Sequence, residues 1–218
     1  LARLGGEPRI VVRGLLFYFA ISPDGKRLAL GRSRELVTMN EDGSDEKRIG
    51  PYTTEKYSWR SIPTGRPWSP DGRLIALECS SKDDRSGLLI HNLIDSTEID
   101  ILNPPWSRIG NVAWAADGQS LYLAGIRTEG GQSQIWSISY PRGEVRQITS
   151  DANGFSDLSA SADGKSLLAI QSIYSNSLWV LPSGNEFGIQ KVPTGEEAVR
   201  AWVNWIADGR ILFVSGTA

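Results

Sequence analysis

This chain is poor in the residues that chemistry most often needs. Its 218 residues include one histidine, His91, one cysteine, Cys79, and one methionine. A lone cysteine excludes an intrachain disulfide and leaves the redox compartment open. One His and one Cys are too few ligands for a zinc site. A Ser-His-Asp triad would have to use His91, which stands within the predicted strand Leu89-Ile90-His91-Asn92-Leu93, and no Gly-x-Ser-x-Gly elbow supports it. His91 therefore reads as a structural or surface histidine. Charge of one sign is also lacking: 23 Lys+Arg face 25 Asp+Glu, a net charge of −2. That balance argues against nucleic acid as a partner. The longest apolar run, Gly14 to Ile21, is strand-sized, so no membrane insertion is expected. The first residues, Leu1 to Gly6, have neither a start Met nor an apolar h-region, and a start cut inside a longer protein is the expectation. With 40% hydrophobic and 22% charged residues, the chain has ordinary globular composition and length enough to bury a core.

What the chain does have is repetition. Asp-Gly occurs at Asp24-Gly25, Asp71-Gly72, Asp117-Gly118, Asp163-Gly164 and Asp208-Gly209, with gaps of 47, 46, 46 and 45 residues (71−24, 117−71, 163−117, 208−163). Three residues before each Asp stand Ile21, Trp68, Trp114, Ala160 and Trp205; four after it stand Leu28, Ile75, Leu121, Leu167 and Leu212. Positions five and six after are apolar as well, from Ala29 and Leu30 in the first copy to Phe213 and Val214 in the last. A strand apolar on both faces is sandwiched between layers. Asp-Gly is a hairpin signal: Gly takes positive φ freely, and the Asp carboxylate accepts from nearby backbone N–H groups. A second hairpin follows in each unit, as in Leu36-Val37-Thr38-Met39 through Asp42-Gly43 to Lys47-Arg48-Ile49. No stretch shows a helical period.

Four short antiparallel strands in a repeat of this length make the blade of a β-propeller. A β-sandwich also has many short strands, but it would not repeat one turn and its apolar flanks five times. The expected fold is all-β, a β-propeller of four-stranded antiparallel blades, with about four complete blades and part-blades at both ends. The expected divisions are residues 1–12 (partial), 13–50, 51–103, 104–149, 150–193 and 194–218 (partial), together forming one propeller. Gly5 to Val12 reads as the outer strand of a preceding blade. Two alternatives stand: a fragment of a larger ring, which the missing third strand favours, or part-blades that combine to close a five-bladed ring. A fragment would expose apolar blade faces.

The segments Ile21-Ser22-Pro23-Asp24-Gly25-Lys26-Arg27-Leu28-Ala29-Leu30 and Trp68-Ser69-Pro70-Asp71-Gly72-Arg73-Leu74-Ile75-Ala76-Leu77 resemble the WD-like repeat of TolB-type propellers. The second hairpins, Leu36 to Ile49 and Ile135 to Thr149, resemble the rest of that repeat, so the likeness covers essentially the whole chain. Copies three to five depart from Ser-Pro-Asp-Gly, which loosens the turn without changing the fold. The resemblance implies a bacterial, non-catalytic scaffold that binds a protein or peptide, with an extracytoplasmic location slightly favoured and no cofactor. Similar repeats are joined to sensor kinases and winged-helix regulators, and Gly154 to Gly164 and Leu1 to Val12 look closest to those. The alternative is the gating propeller of a prolyl-oligopeptidase-like serine peptidase. A sugar lyase on similar repeats would need several metal-binding histidines.

Three motif matches dissolve on inspection. Asp163-Gly164-Lys165-Ser166 ends like a P-loop, but Ser159 stands where its first Gly belongs. Thr38 to Ile49 has Thr at the first and Ile at the twelfth position of a calcium loop. The ring of repeated Asp residues reads as turn capping, not metal ligation. No catalytic, cofactor or metal residue is assigned. Recognition is expected elsewhere, because strand alternation puts the variable connections on the rim opposite the constant Asp-Gly turns. The candidate ligand face is Trp59, Arg60, Lys82, Arg85, Trp106, Arg108 and Arg127. Trp59, Trp106 and Trp202 fall outside the repeat register; Trp68, Trp114 and Trp205, like the pair Trp136 and Trp179, share repeat positions and read as packing residues.

Overall fold

The computed structural model describes residues 10–13, 16–32, 35–51, 53–127, 131–161, 163–173, 177–181, 189–192, 198–206 and 210–216. The fifth Asp-Gly, Asp208-Gly209, and the first nine residues lie outside them. Two compact units form: Leu1–Ser150 with Phe155–Gln171, and Asp151–Gly154 with Ser172–Ala218.

In the first unit, β1 (Leu16–Ile21), β2 (Arg27–Arg32), β3 (Glu35–Asn40) and β4 (Lys47–Pro51) form one antiparallel four-stranded sheet in sequence order. In the next repeat the inner strand is split into β5 (Trp59–Ser61) and β6 (Gly65–Arg66). The second sheet runs β5, β7 (Leu74–Ser80), β8 (Ser86–Asn92), β9 (Glu98–Trp106). The third contains β10 (Arg108–Trp114), β11 (Ser120–Ile126), β12 (Gln134–Ser139) and β13 (Val145–Gln147), with β6 added in parallel beside β10. A hairpin of β14 (Gly154–Ala160) and β15 (Leu167–Ser172) follows. The second unit contains the hairpins β16 (Leu178–Val180) with β17 (Gln190–Val192), and β18 (Ala198–Trp205) with β19 (Ile211–Gly216). The described residues thus form an all-β fold in which three sheets are four-stranded antiparallel blades and the remaining strands pair as hairpins.

Apolar positions on both faces of the strands explain why the sheets stack. Ile75, Leu77 and Cys79 on one face of β7 pack with Ala20, Ala29, Leu36 and Ile49 of the first sheet. Ala76 on the other face joins Val112, Trp114, Leu121 and Leu123 of the third. Ala113 and Ala124, on the far face of the third sheet, pack with Leu158 and Ala160 of β14. Each sheet therefore serves as the floor of the next. Phe19 and Ile21 on β1 break this pattern, at 66% and 55% exposed.

The Asp-Gly turns are built alike. Gly72 N donates to Ser69 O (2.9 Å), and Gly72 has φ +70°, with open space where a side chain would go. Glycine is thus required there for conformation, not room. Ser69 Oγ donates to Asp71 Oδ1 (2.6 Å) and accepts from Leu74 N (2.9 Å), while Asp71 Oδ1 accepts from Arg73 N (3.1 Å). Ser22–Asp24 and Ser161–Asp163 repeat this arrangement. The third copy has Ala115 and Ala116 in place of Ser-Pro, yet Gly118 keeps φ +68° and Asp117 still accepts from Gln119 N (2.9 Å). These turn contacts are kept without the Pro, and the serine clamp is a feature the sequence reading did not identify. Gly65 is different. A Cβ there would lie 2.4 Å from Asn111 Oδ1 and 2.5 Å from Val112 O, so only glycine lets β6 lie against β10.

Two predictions follow from the clamp. Ser69→Ala removes one donor and one acceptor and should lower stability by about 1 kcal/mol, read as a lower urea midpoint with unchanged slope. The serine hydroxyl hydrogen bonds hold Asp24, Asp71 and Asp163 below the ordinary carboxylate value of 3.8. Their contribution is therefore full above that value and lost as pH falls through the lowered folded values. Acid unfolding should steepen below about pH 4, and the triple change to Asn should flatten it, measured by circular dichroism against pH.

Candidate functional site

On the rim expected to be variable, the described residues include the β7–β8 connection, Arg127 at the end of β11, residues 53–58 before β5 and Ser107 before β10. The structure divides the seven expected residues. Trp59 opens β5, half-buried opposite Ser80. Lys82 is exposed on the 81–85 turn, which is closed by Ser81 N donating to Arg85 O (2.8 Å) and by Arg85 N donating to Ser81 Oγ (3.2 Å). Arg85 is half-buried. Arg108 and Arg127 are both exposed at neighbouring strand ends: Arg108 pairs with Ile126, and Arg127 follows it.

Trp106 and Arg60 are not surface residues. Trp106 is 2% exposed and meets Trp136 edge-on at 5.1 Å, within the core shared by the second and third sheets. Its lack of repeat register reflects a special packing position: a Cβ on Gly125 would lie 3.4 Å from Trp106 Cε3. Arg60 is 3% exposed and pairs with Glu98, whose Oε1 also lies 2.9 Å from His91 Nδ1. The lone histidine is thus a buried structural residue, consistent with its reading from sequence. Burial would raise the Glu98 carboxyl, but hydrogen bonds with His91 and Arg60 and the Arg60 charge hold it below its usual value. Above the buried tryptophans, the Arg127 guanidinium lies 5.8 Å from the Trp136 ring centroid, so this end of the rim presents a cation resting on an aromatic face.

Burial pushes the Cys79 thiol up to about 12, which makes it a poor nucleophile. Among the described residues no cluster of three or more His, Cys, Asp or Glu could hold a metal. Glu78, on β7 opposite Ser61, is the unusual titratable group: burial raises it to about 8, partly opposed by the Arg108 charge.

On the opposite rim lies a feature the sequence reading missed. A concavity of about 240 Å³ is lined by Pro23, Arg66, Trp68, Pro70, Trp114, Ala116 and Ser161. These residues come from four successive repeats, six of them one to three positions before an Asp-Gly Asp. Trp114 Nε1 donates to Pro67 O (2.8 Å), and Arg66 Nη1 donates to Ala160 O (2.8 Å). Trp68 is 3% exposed, and its Nε1 has no partner. The signal was present as Trp and Pro at fixed offsets; only the convergence of the inner strands makes them one surface.

Glu78 supports a pH prediction. With its folded value raised to about 8 from 4.5, its stabilising contribution is full below 4.5 and lost as pH rises through 8. Glu78→Gln should flatten the stability–pH curve over that interval, read by thermal melts in matched buffers.

No protein-family profile matches the chain. Dipeptidyl-peptidase 5 of Porphyromonas gingivalis is 26% identical over 157 residues, 66% of this chain and 22% of that protein. The Bacillus subtilis peptidase YuxL is 29% identical over 160 residues, 67% of this chain and 20% of that protein. The chain therefore spans about a fifth of the length of the curated relatives it matches. The solved structure of TolB from Acinetobacter baumannii superposes with a TM-score of 0.58 at 16% identity, covering 92% of this chain and 43% of that one. Blades stacked through both faces, Asp-Gly turns in constant register and these likenesses together identify the fold of this chain as a TolB-type β-propeller.

Proposed function

We propose that this chain is a non-catalytic binding scaffold for a protein or peptide, with the variable rim as its ligand face. The observation that carries the reading is the exposed Arg127, its guanidinium resting over the buried Trp136 ring, with the exposed Arg108 on the neighbouring strand end. Cations over a packed aromatic floor suit a polar polypeptide segment, because the floor holds the guanidinium in place before binding. Lys82 and Trp59 extend the same rim. Arg60 and Trp106 act beneath it as supports. The scaffold reading includes an extracytoplasmic location and use as the sensor part of a multidomain kinase or transcriptional regulator, both resting on the likeness of the repeats.

A second reading is favoured by a separate observation. Both curated relatives reported above are peptidases, and the chain matches about a fifth of each. In that reading the chain is the propeller part of a prolyl-oligopeptidase-like peptidase, and it filters substrates without cleaving them. A Gly-x-Ser-x-Gly motif elsewhere in the same gene, with hydrolysis by the whole protein but not by this chain, would support it.

The scaffold reading predicts that the full chain captures members of an immobilised peptide array without cleaving them. The double change Arg108→Ala with Arg127→Ala should weaken that binding about tenfold or more, in line with loss of charge-assisted contacts, while the thermal midpoint changes little. Unchanged capture by the double variant would rule out this rim.

A further inference from the structure

We infer that the concavity on the Asp-Gly rim is a second binding site, which takes the C-terminal apolar residue of a peptide and pairs its free carboxylate with Arg66. The inference rests on the reading of the chain as a binding scaffold, but it concerns the opposite rim and different residues.

The lining has two chemical halves. Pro23, Pro70, Trp68, Trp114 and Ala116 supply flat, rigid apolar walls. Such walls lose little side-chain entropy when a ligand is bound. Arg66 is the one charged lining residue. Its Nη1 is fixed by the carbonyl of Ala160, which orients the guanidinium from across the opening. A guanidinium carries five N–H donors, so most of its fork remains for a ligand, and a carboxylate accepts from such a fork in bidentate fashion. The neighbouring turn carboxylates have partners of their own: Asp24, Asp71 and Asp163 are held by their serines and backbone amides, and Asp117 accepts from Gln119 N.

Size and charge select among occupants. The volume of about 240 Å³ lies below the roughly 300–1,000 Å³ of pockets for drug-sized ligands. It suits one terminal residue rather than a long segment. A cation without a lining acid selects an anion, and walls of Trp and Pro select an apolar body. A peptide C-terminus ending in a residue such as Leu or Phe combines both within a few bonds. An amidated end, or an internal residue, would place an uncharged group against Arg66.

The test uses the full chain and two pentapeptides of one sequence ending in Leu, one with a free carboxylate and one amidated, with binding read by tryptophan fluorescence and calorimetry. The free acid should bind saturably, at least tenfold tighter than the amide, and Arg66→Gln should abolish that difference. Gln can still donate to Ala160 O, so it probes charge more than support. Ala116→Leu, at an exposed lining position, should block the cavity and lose binding with an unchanged thermal midpoint. This second variant keeps the test decisive if Arg66→Gln is unstable. Equal binding of acid and amide, non-saturating binding, or full affinity in Ala116→Leu would each overturn the proposal. Acetyl-leucine is the control for source: binding as tight as the pentapeptide would overturn a peptide C-terminus in favour of a small carboxylate. Capture at the variable rim is read independently with the Arg108 and Arg127 double variant, so either site can fail alone.

Discussion

The apolar contact between successive sheets is the constraint on which the rest depends. A strand such as β7 has no solvent face: Ile75 and Leu77 are covered from one side and Ala76 from the other. Fully burying a side chain of this size contributes about 1.5–3 kcal/mol, so a sheet lacking either neighbour would forgo much of its stability. The need to cover both faces sets the blade spacing. It also explains the small residues, since Ala29, Ala76, Ala113 and Ala124 let neighbouring sheets approach closely while Leu and Ile interdigitate around them.

Buried charges at the edge of this stack are held by partners, because an unpaired charge in such a layer costs several kcal/mol. Arg60, Glu98 and His91 illustrate the rule: a guanidinium, a carboxylate and an imidazole share one site at the edge of the core. Lys56 and Tyr57 likewise converge on Asp100. The chain has one histidine, and its environment gives it a supporting task. Glu78 departs from the rule and responds by moving its titration into the neutral range.

The two rims solve different problems. On one, the Asp-Gly turns must close every blade in the same way, and a serine hydroxyl bridges each of three described turns. Because those turns are constant, the residues before them also recur, and four repeats together line a concavity. On the other rim the connections vary in length and sequence, and the packed Trp106 and Trp136 hold the base on which Arg127 rests. Constancy therefore did not exclude a surface: a repeated structural residue such as Trp68 or Pro70 also lines an opening.

Local rules made much of the chain legible from its residues. The two-residue period, the positive φ of the turn glycines and the spacing of the Asp-Gly pairs each concern neighbours within a few positions. They determined the all-β blade, the placing of the hairpins and the structural reading of His91. Tertiary structure decided which of the similar-looking aromatic and basic side chains lie inside. Trp106 and Arg60 sit at rim positions in sequence yet are buried, because the sheets that cover them are formed by residues tens of positions away. The same holds for Gly65, whose necessity comes from Asn111 and Val112, and for the concavity, which exists only where the ends of four repeats meet. Such contacts depend on how one repeat lies against the next, and no local pattern encodes that distance.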